Sequence, residues 1–442
     1  MFTPRKEVRR VYTYLSDHMK IFLLVFCTLF LLKPFSGSGQ HIAAKQKNTR
    51  KIYSYDFGNS AVSKGKTRVD STNAYLPEKG YGFDFDTRPG KGAFYFSVRV
   101  PEGNYSVTVK LGSPTAATLS TVKAESRRLM LENVSTAPGK FVTRTFIVNI
   151  KDRKIAGGGE VKLKPRELSK LDWDDKLTLE FDLQTTIQSI IIKKTEDPVT
   201  LFLAGNSTVV NQDEEPWASW GQMITRFFKP GVAIANHAES GLSLGSFTGS
   251  KRLEKILSII KPGDYIFVEF GHNDEKEKGT NDGPYKSYTE RLHMFAKAAK
   301  SKKAHLVILT PTARRSFNTA GLMQNSHGDY PDAARKVAAE EGVPLIDLTA
   351  LTTKLFETLG PEGSKKAFVI YPEQNLNDNT HFNPYGAYEI AKIIVQEIKT
   401  KIPELARHLY ETPHFDPSIP DPFATFTWPA SPKVSLMKPD GN

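Results

Sequence analysis

The chain has 442 residues, 39% of them hydrophobic and 24% charged, an ordinary balance for folded domains that excludes disordered and collagen-like classes and exceeds one average domain in length. The formal charge of +12 is concentrated at the start, where nine Lys or Arg stand against two acids in residues 1–50 and leave +5 for residues 51–442. That remainder is compatible with an acidic polymer and is explained more simply by a solvated surface, while the lack of a basic helix, zinc pattern or aromatic RNA-binding signature gives nucleic-acid binding no support.

In chain order, Met19-Lys20, the apolar run 21–32 and Ser36-Gly37-Ser38-Gly39-Gln40 predict a secretory signal peptide within residues 1–40. The run is too short to span a bilayer comfortably. Met19 is an alternative start, with residues 1–18 an upstream extension; an uncleaved signal anchor is the competing reading. Cys27, the only cysteine, lacks the small residues that precede a lipoprotein cysteine, so no lipid anchor is expected. A mature chain from about Gln40 has no thiol, which fits an exported protein, periplasmic or extracellular, with no stable membrane span.

Residues 51–197 read as β. Segments 93–100 and 105–111 alternate β-branched and aromatic residues around the turn cluster Pro101-Glu102-Gly103-Asn104, which predicts a hairpin. Segments 141–150, 177–183 and 187–192 continue the rhythm, so an antiparallel β-sandwich is expected. From 198 to 410 short apolar strands (201–204, 232–235, 265–270, 306–309, 344–346) alternate with amphipathic helices carrying Leu253, Ile256, Leu257 and Ile260, then Leu292, Phe295, Ala296 and Ala299. The pattern predicts an α/β domain with a five-stranded parallel sheet covered on both faces and a site beyond the carboxyl ends of its strands. Pro384 opens a last helix bearing Ile390, Ile393, Ile394 and Ile398, and Pro403 ends it. The tail 411–442 holds seven prolines with Phe415, Phe423, Phe426 and Trp428; it either packs across the surface, against the β domain, or hangs free.

Four blocks carry the chemistry. Gly205-Asn206-Ser207-Thr208 follows a strand, where Gly205 permits a sharp turn and the helix that includes Trp217, Trp220, Met223, Ile224 and Phe227 can bring N–H groups to the hydroxyl. Serine needs a base, an orienter for that base and oxyanion donors. Asp378-Asn379-Thr380-His381 is expected as a loop feeding the last helix, with Asp378 accepting the Nδ1 proton of His381 and Nε2 free to act as base. Gly241, in Ser240-Gly241-Leu242-Ser243, and Asn273, in Gly271-His272-Asn273-Asp274, join the Ser207 N–H as candidate oxyanion donors. Each block alone has a plain reading as a turn, a cap or a loop glycine; their company raises the chemical one. His237, His272, His293 and His305 show no paired metal spacing, and neither metal nor cofactor is required. Glu269 and Asp274 resemble a glycosidase pair, but that reading leaves the Ser, Asn and His blocks unexplained. Trp217 and His272 are candidate substrate contacts, and Trp220 is expected in the core.

These blocks resemble those of the SGNH, or GDSL-like, hydrolases. Together with Trp217-Ala218-Ser219-Trp220-Gly221-Gln222-Met223 and Asn236-His237-Ala238, they are similar to rhamnogalacturonan acetylesterases over roughly 198–402. The resemblance implies a three-layer α/β/α SGNH hydrolase fold and removal of acetyl groups from an acidic pectic polysaccharide, with Ser207 as nucleophile, His381 as base, Asp378 as orienter, and Ser207, Gly241 and Asn273 at the oxyanion. Acetylated xylan or another glycan is the alternative substrate, and a catalytically impaired polysaccharide-binding protein the alternative function. Two residues depart from the family: Asn206 stands where Asp is usual, and Leu242 where Arg often follows the glycine. The β domain resembles the galactose-binding-like, jelly-roll sandwiches that accompany carbohydrate enzymes, on Tyr55-Asp56-Phe57-Gly58 and Gly80-Tyr81-Gly82-Phe83; sugar binding and a purely structural role are both open.

Overall fold

The computed structural model describes residues 51–58 and 64–440, which form one compact unit. The predicted signal segment, Met19 and Cys27 lie outside the described residues. Among the described residues no helix is long and apolar enough to cross a membrane.

The N-terminal part is built from two five-stranded sheets. One runs Thr67–Arg68, Ile52–Asp56, Ile187–Lys194, Gly103–Leu111, Val142–Ile150, antiparallel except for its first pair. The other runs Tyr81–Asp84, Phe94–Arg99, Lys176–Phe181, Thr118–Ala124, Arg128–Thr136, antiparallel throughout. Every second residue turns inward: Tyr105, Val107, Val109 and Leu111 of one sheet share a single apolar core with Phe94, Phe96, Val98, Leu177, Leu179 and Phe181 of the other. Burying each such side chain is worth about 1.5–3 kcal/mol.

The predicted hairpin is absent. Phe94–Arg99 and Gly103–Leu111 follow one another in the chain but belong to opposite sheets. Alternation cannot separate the two arrangements, because strands that pair side by side and strands that face each other across a core both bury every second residue. Pro101 turns the corner between the sheets, and the Tyr105 hydroxyl donates back to its carbonyl at 2.6 Å.

The C-terminal part carries five parallel strands, β1 (Val199–Gly205), β2 (Val232–Asn236), β3 (Tyr265–Glu269), β4 (His305–Leu309) and β5 (Leu345–Ile346), in the order β2-β1-β3-β4-β5. Successive residues point to opposite faces. Leu201, Leu203, Phe267 and Val307 pack with Ile390, Ile394 and Ile398 of helix Pro384–Lys401, whereas Phe202, Ala204, Ile266 and Ile308 pack with helices Arg252–Ile259, Thr289–Ser301 and Tyr330–Glu341. This is the covered parallel sheet that the alternating pattern predicts. Strand order reverses between β1 and β3, and the crevice beyond their carboxyl ends is where such sheets place ligands.

The tail has almost no regular structure, yet it is docked. Glu215 Oε1 accepts Trp428 Nε1–H at 2.8 Å and the Ser431 N–H at 2.9 Å, while Lys123 of the antiparallel part donates to the Pro429 carbonyl at 2.6 Å and sits 4.2 Å over the Trp428 ring. The tail thus bridges the two parts. Arg127 does the same from the turn after Thr118–Ala124. Its buried guanidinium donates to the carbonyls of Gln212 (3.2 Å), Glu214 (2.9 Å) and Trp217 (2.7 Å) and pairs with Glu215 at 2.5 Å. Removing one partner of a buried, hydrogen-bonded ion pair leaves the other uncompensated, so Arg127→Ala is expected to cost about 3–5 kcal/mol in denaturant unfolding. Arg127→Lys, which keeps the charge but not the planar fork, recovers only part of that loss.

Candidate active site

The Gly205–Thr208 block leaves the end of β1, the strand next to the reversal. Gly205 is required there for room and not for backbone freedom: a Cβ would lie 2.4 Å from Val209 Cγ2 and 3.1 Å from the Glu269 carbonyl, and its φ is not positive. The helix expected to include Trp217 begins only after it, with Trp220–Met223, and residues 206–210 form a turn in which Val209 and Val210 N–H both donate to the Asn206 carbonyl. Gln212 Nε2 holds the Ser207 carbonyl at 2.9 Å, and Asn236 Nδ2 holds that of Val209 at 2.6 Å.

Asn206 Oδ1 accepts the Thr208 N–H at 3.0 Å and lies 3.0 Å from the Thr208 hydroxyl oxygen, so the acceptor role survives in the amide. The same Thr208 hydroxyl lies 2.8 Å from Glu269 Oε1. An aspartate at 206 would set a second carboxylate across one hydroxyl from Glu269, which accounts for a neutral side chain here. Its Nδ2 makes no hydrogen bond among the described residues. Glu269, at the end of β3, also accepts from Trp220 Nε1–H and from the Thr312 N–H at 3.2 Å. Burial pushes its carboxyl up to about 7 against these three donors, which favour the ionised form. Glu269 and Asp274 are both buried braces: Asp274 accepts the N–H groups of Leu244 (2.9 Å) and Gly271 (3.0 Å).

Asp378 and His381 lie on a strand and not in a loop. β6 (Phe368–Tyr371) and β7 (Leu376–Phe382) form an antiparallel pair whose register shifts between Phe368 and Ile370. Within β7 the Asp378 carboxylate folds back to accept the N–H groups of Thr380 (2.8 Å) and His381 (2.9 Å) through Oδ1, which is why Asp-Asn-Thr reads as a turn. Its Oδ2 lies 2.8 Å from His381 Nδ1 and 3.4 Å from Lys438 Nζ. Burial alone would raise the carboxyl; the hydrogen bond and charge of His381, with the two backbone N–H groups, outweigh it and bring the pKa down to about 2.

Short contacts join this strand to the Ser207 turn. Trp220 N–H donates to the Thr208 carbonyl at 3.3 Å, Ala218 N–H to the Phe382 carbonyl at 2.8 Å, and the Trp217 ring stands edge-on to His381 at 5.7 Å and 90°. Asn383 caps the following helix through Gly386 N–H.

Gly241 follows β2 with φ +77°, a conformation that favours glycine, and a Cβ there would come within 2.9 Å of Asp440 Cβ. Among the described residues neither its N–H nor that of Ser207 donates to another group. Asn273 follows β3; Nδ2 gives one proton to the Leu242 carbonyl at 3.1 Å and keeps a second. The Leu242 side chain itself is buried in the apolar core. Trp217 and His272, expected to touch substrate, are only 3% and 1% exposed. Trp217 packs on Val369, Leu376 and Tyr371 and donates its indole N–H to the Ser435 carbonyl at 2.9 Å; His272 packs against His327 at 4.5 Å, and burial with the neighbouring cations holds its imidazole well below the ordinary range. Among the described residues no cluster of three or more His, Cys, Asp or Glu could hold a metal ion.

What sequence reading missed is a ring of charge beside Gly241. Lys164 and Arg166, on the segment around the short helix Pro165–Ser169, and Lys170 meet the buried Glu239 and the tail residue Asp440. Their spacing in the sequence carries no periodicity; only the fold brings them to the rim.

Residues 203–388 match the GDSL-like Lipase/Acylhydrolase family. A rhamnogalacturonan acetylesterase of Bacillus subtilis (strain 168), RhgT, is 42% identical over 221 residues, which is 48% of this chain and 94% of that protein. The rhamnogalacturonan acetylesterase of Emericella nidulans is 27% identical over 220 residues, 45% of this chain and 84% of that one. YxiM, an uncharacterized esterase of the same Bacillus strain, is 28% identical over 411 residues, 86% of this chain and 98% of its own, so that match runs through the antiparallel sheets as well.

Proposed function

Because the chain belongs to the GDSL-like lipase/acylhydrolase family, we propose that it is an exported serine esterase that removes O-acetyl groups from plant cell-wall polysaccharide, foremost pectic rhamnogalacturonan. It is an ester hydrolase, and relatives named rhamnogalacturonan acetylesterase make it a carbohydrate acetylesterase. The observation that carries the mechanism is the hydrogen bond from His381 Nδ1 to Asp378, on a strand tied to the Ser207 turn. With Nδ1–H directed at Asp378, Nε2 is the basic nitrogen.

In that mechanism the Ser207 hydroxyl attacks the acetyl carbonyl while His381 Nε2 takes its proton. Negative charge on the carbonyl oxygen meets the N–H groups of Ser207 and Gly241 and the remaining amide proton of Asn273. Collapse breaks the ester bond, and the sugar oxygen leaves with the proton held by His381. Water then enters and loses a proton to His381, and as the acetyl-enzyme collapses His381 returns that proton to Ser207 Oγ and acetate leaves.

The test is acetate release from acetylated rhamnogalacturonan and, in parallel, from acetylated xylan. Release from the pectic polymer at the higher kcat/KM is expected. Release from xylan alone moves the substrate and keeps the chemistry, whereas no release from either by a folded protein sinks the proposal.

A further inference from the structure

Residues 433–440 run along the rim of the site. The Glu215 carbonyl accepts Ser435 N–H at 2.9 Å, the Lys433 carbonyl accepts Glu215 N–H at 2.9 Å, and Ser435 in turn accepts from Trp217. Beyond that anchor, Lys438 reaches the Asp378 carboxylate and Asp440 reaches Gly241. The tail therefore contacts one member of the Asp-His pair and one oxyanion candidate.

Asp440 is held by cations of the N-terminal part. Lys164 Nζ lies 3.0 Å from its Oδ2 and donates at 2.7 Å to the Ser240 carbonyl, immediately before Gly241; Arg166 NH1 lies 3.8 Å from its Oδ1. A cavity of about 360 Å³ opens here, lined by Arg166, Lys170, Gln212, Trp217, Lys438 and Asp440 among others. Its remaining acids are already matched, Asp213 by Lys433 (2.5 Å) and Lys170 (4.0 Å) and Glu214 by Lys433 (3.6 Å), while the buried Glu239 beside it pairs with Lys170 (2.8 Å) and Arg166 (3.3 Å). Among the described residues Asp440 is the one carboxylate paired with Lys164 Nζ, and its side chain is 51% exposed. Burial alone would raise the Asp440 carboxyl, but Lys164, Arg166 and Lys170 hold it below its ordinary range. An exposed carboxylate is easily exchanged for another, since a surface ion pair is worth only about 0–1 kcal/mol.

We propose that Lys164 and Arg166 form a subsite for a uronate carboxylate of the polysaccharide, which Asp440 fills until substrate displaces it. The proposal deepens the esterase reading and rests on it for the choice of ligand. It gives the N-terminal part a direct role in recognition: an acid sugar of the substrate is read by cations that the hydrolase strands do not carry.

The test is calorimetric titration of the full chain, as Ser207→Ala, with unacetylated oligogalacturonate and with neutral xylo-oligosaccharide of equal length. Adding Lys164→Gln or Arg166→Gln is expected to weaken oligogalacturonate about 10-fold, and adding Asp440→Asn to tighten it about 3-fold, with xylo-oligosaccharide unmoved by any of them. Asp440→Asn lies in the exposed tail and keeps the test valid should the Lys164 variant unfold. Equal affinities in all variants, equal losses on the neutral sugar, or no uronate binding would overturn the subsite. Hydrolysis of 4-nitrophenyl acetate by the parent reports separately on the esterase reading. Hydrolysis with Lys164-independent uronate binding rejects the subsite alone; Lys164-dependent binding without hydrolysis rejects the esterase alone.

Discussion

Ser207→Ala is expected to hydrolyse acetyl esters about 10⁴- to 10⁶-fold more slowly than the parent, the range found when a serine hydrolase loses its nucleophile. The same variant is expected to unfold within about 0.5 kcal/mol of the parent. The second expectation follows from the contacts. The turn is held through the Ser207 carbonyl by Gln212 and through Asn206, Thr208 and Val209, and among the described residues the Ser207 hydroxyl takes part in none of these bonds. Deleting Oγ therefore removes the reacting atom without orphaning a buried partner. Residual rate from the oxyanion donors acting on water is about 10³-fold over solution, so the loss has a floor. Activity above a tenth of the parent's in a pure, folded Ser207→Ala would remove serine chemistry from this site.

The parallel sheet and the four blocks were legible because both are local. Strand and helix periods give β1 to β5 within one or two residues at most ends, and the first three blocks come just after β1, β2 and β3. The pairing of the N-terminal strands was not legible, since side-by-side and face-to-face strands share one alternation. Nor was the strand β7, because the Asx turn at Asp378 gives it loop composition. Trp217 and His272 look like substrate contacts in a motif, and the fold buries both to the same degree as Ser207 and His381, so a motif by itself does not tell which aromatic of a block meets a ligand. The cations at 164 and 166 reach Gly241 across some 75 residues, and the tail reaches it from the far end of the chain. Contacts at such separation leave no pattern in a single sequence.

Asp378→Asn separates positioning from nucleophilic attack. The carboxylate uses both oxygens, Oδ1 for two backbone N–H groups and Oδ2 for His381 Nδ1. An amide has one acceptor oxygen. If that oxygen keeps the backbone bonds, the NH₂ faces Nδ1 and selects the tautomer with its proton on Nε2, which cannot take the serine proton; kcat is then expected to fall about 10³- to 10⁴-fold with little change in KM. The variant also carries a pH signature that Ser207→Ala lacks. A folded carboxyl at about 2, against an ordinary value near 3.8, is a depressed pKa. Its stabilisation is therefore present above the unfolded pKa and lost as pH falls through the folded one. The parent should exceed Asp378→Asn by about 2 kcal/mol in urea unfolding at pH 7, and by roughly half of that at pH 3. A kcat within tenfold of the parent, with the stability gap intact at pH 7, would leave Asp378 as a brace of β7 and take it out of the catalytic pair.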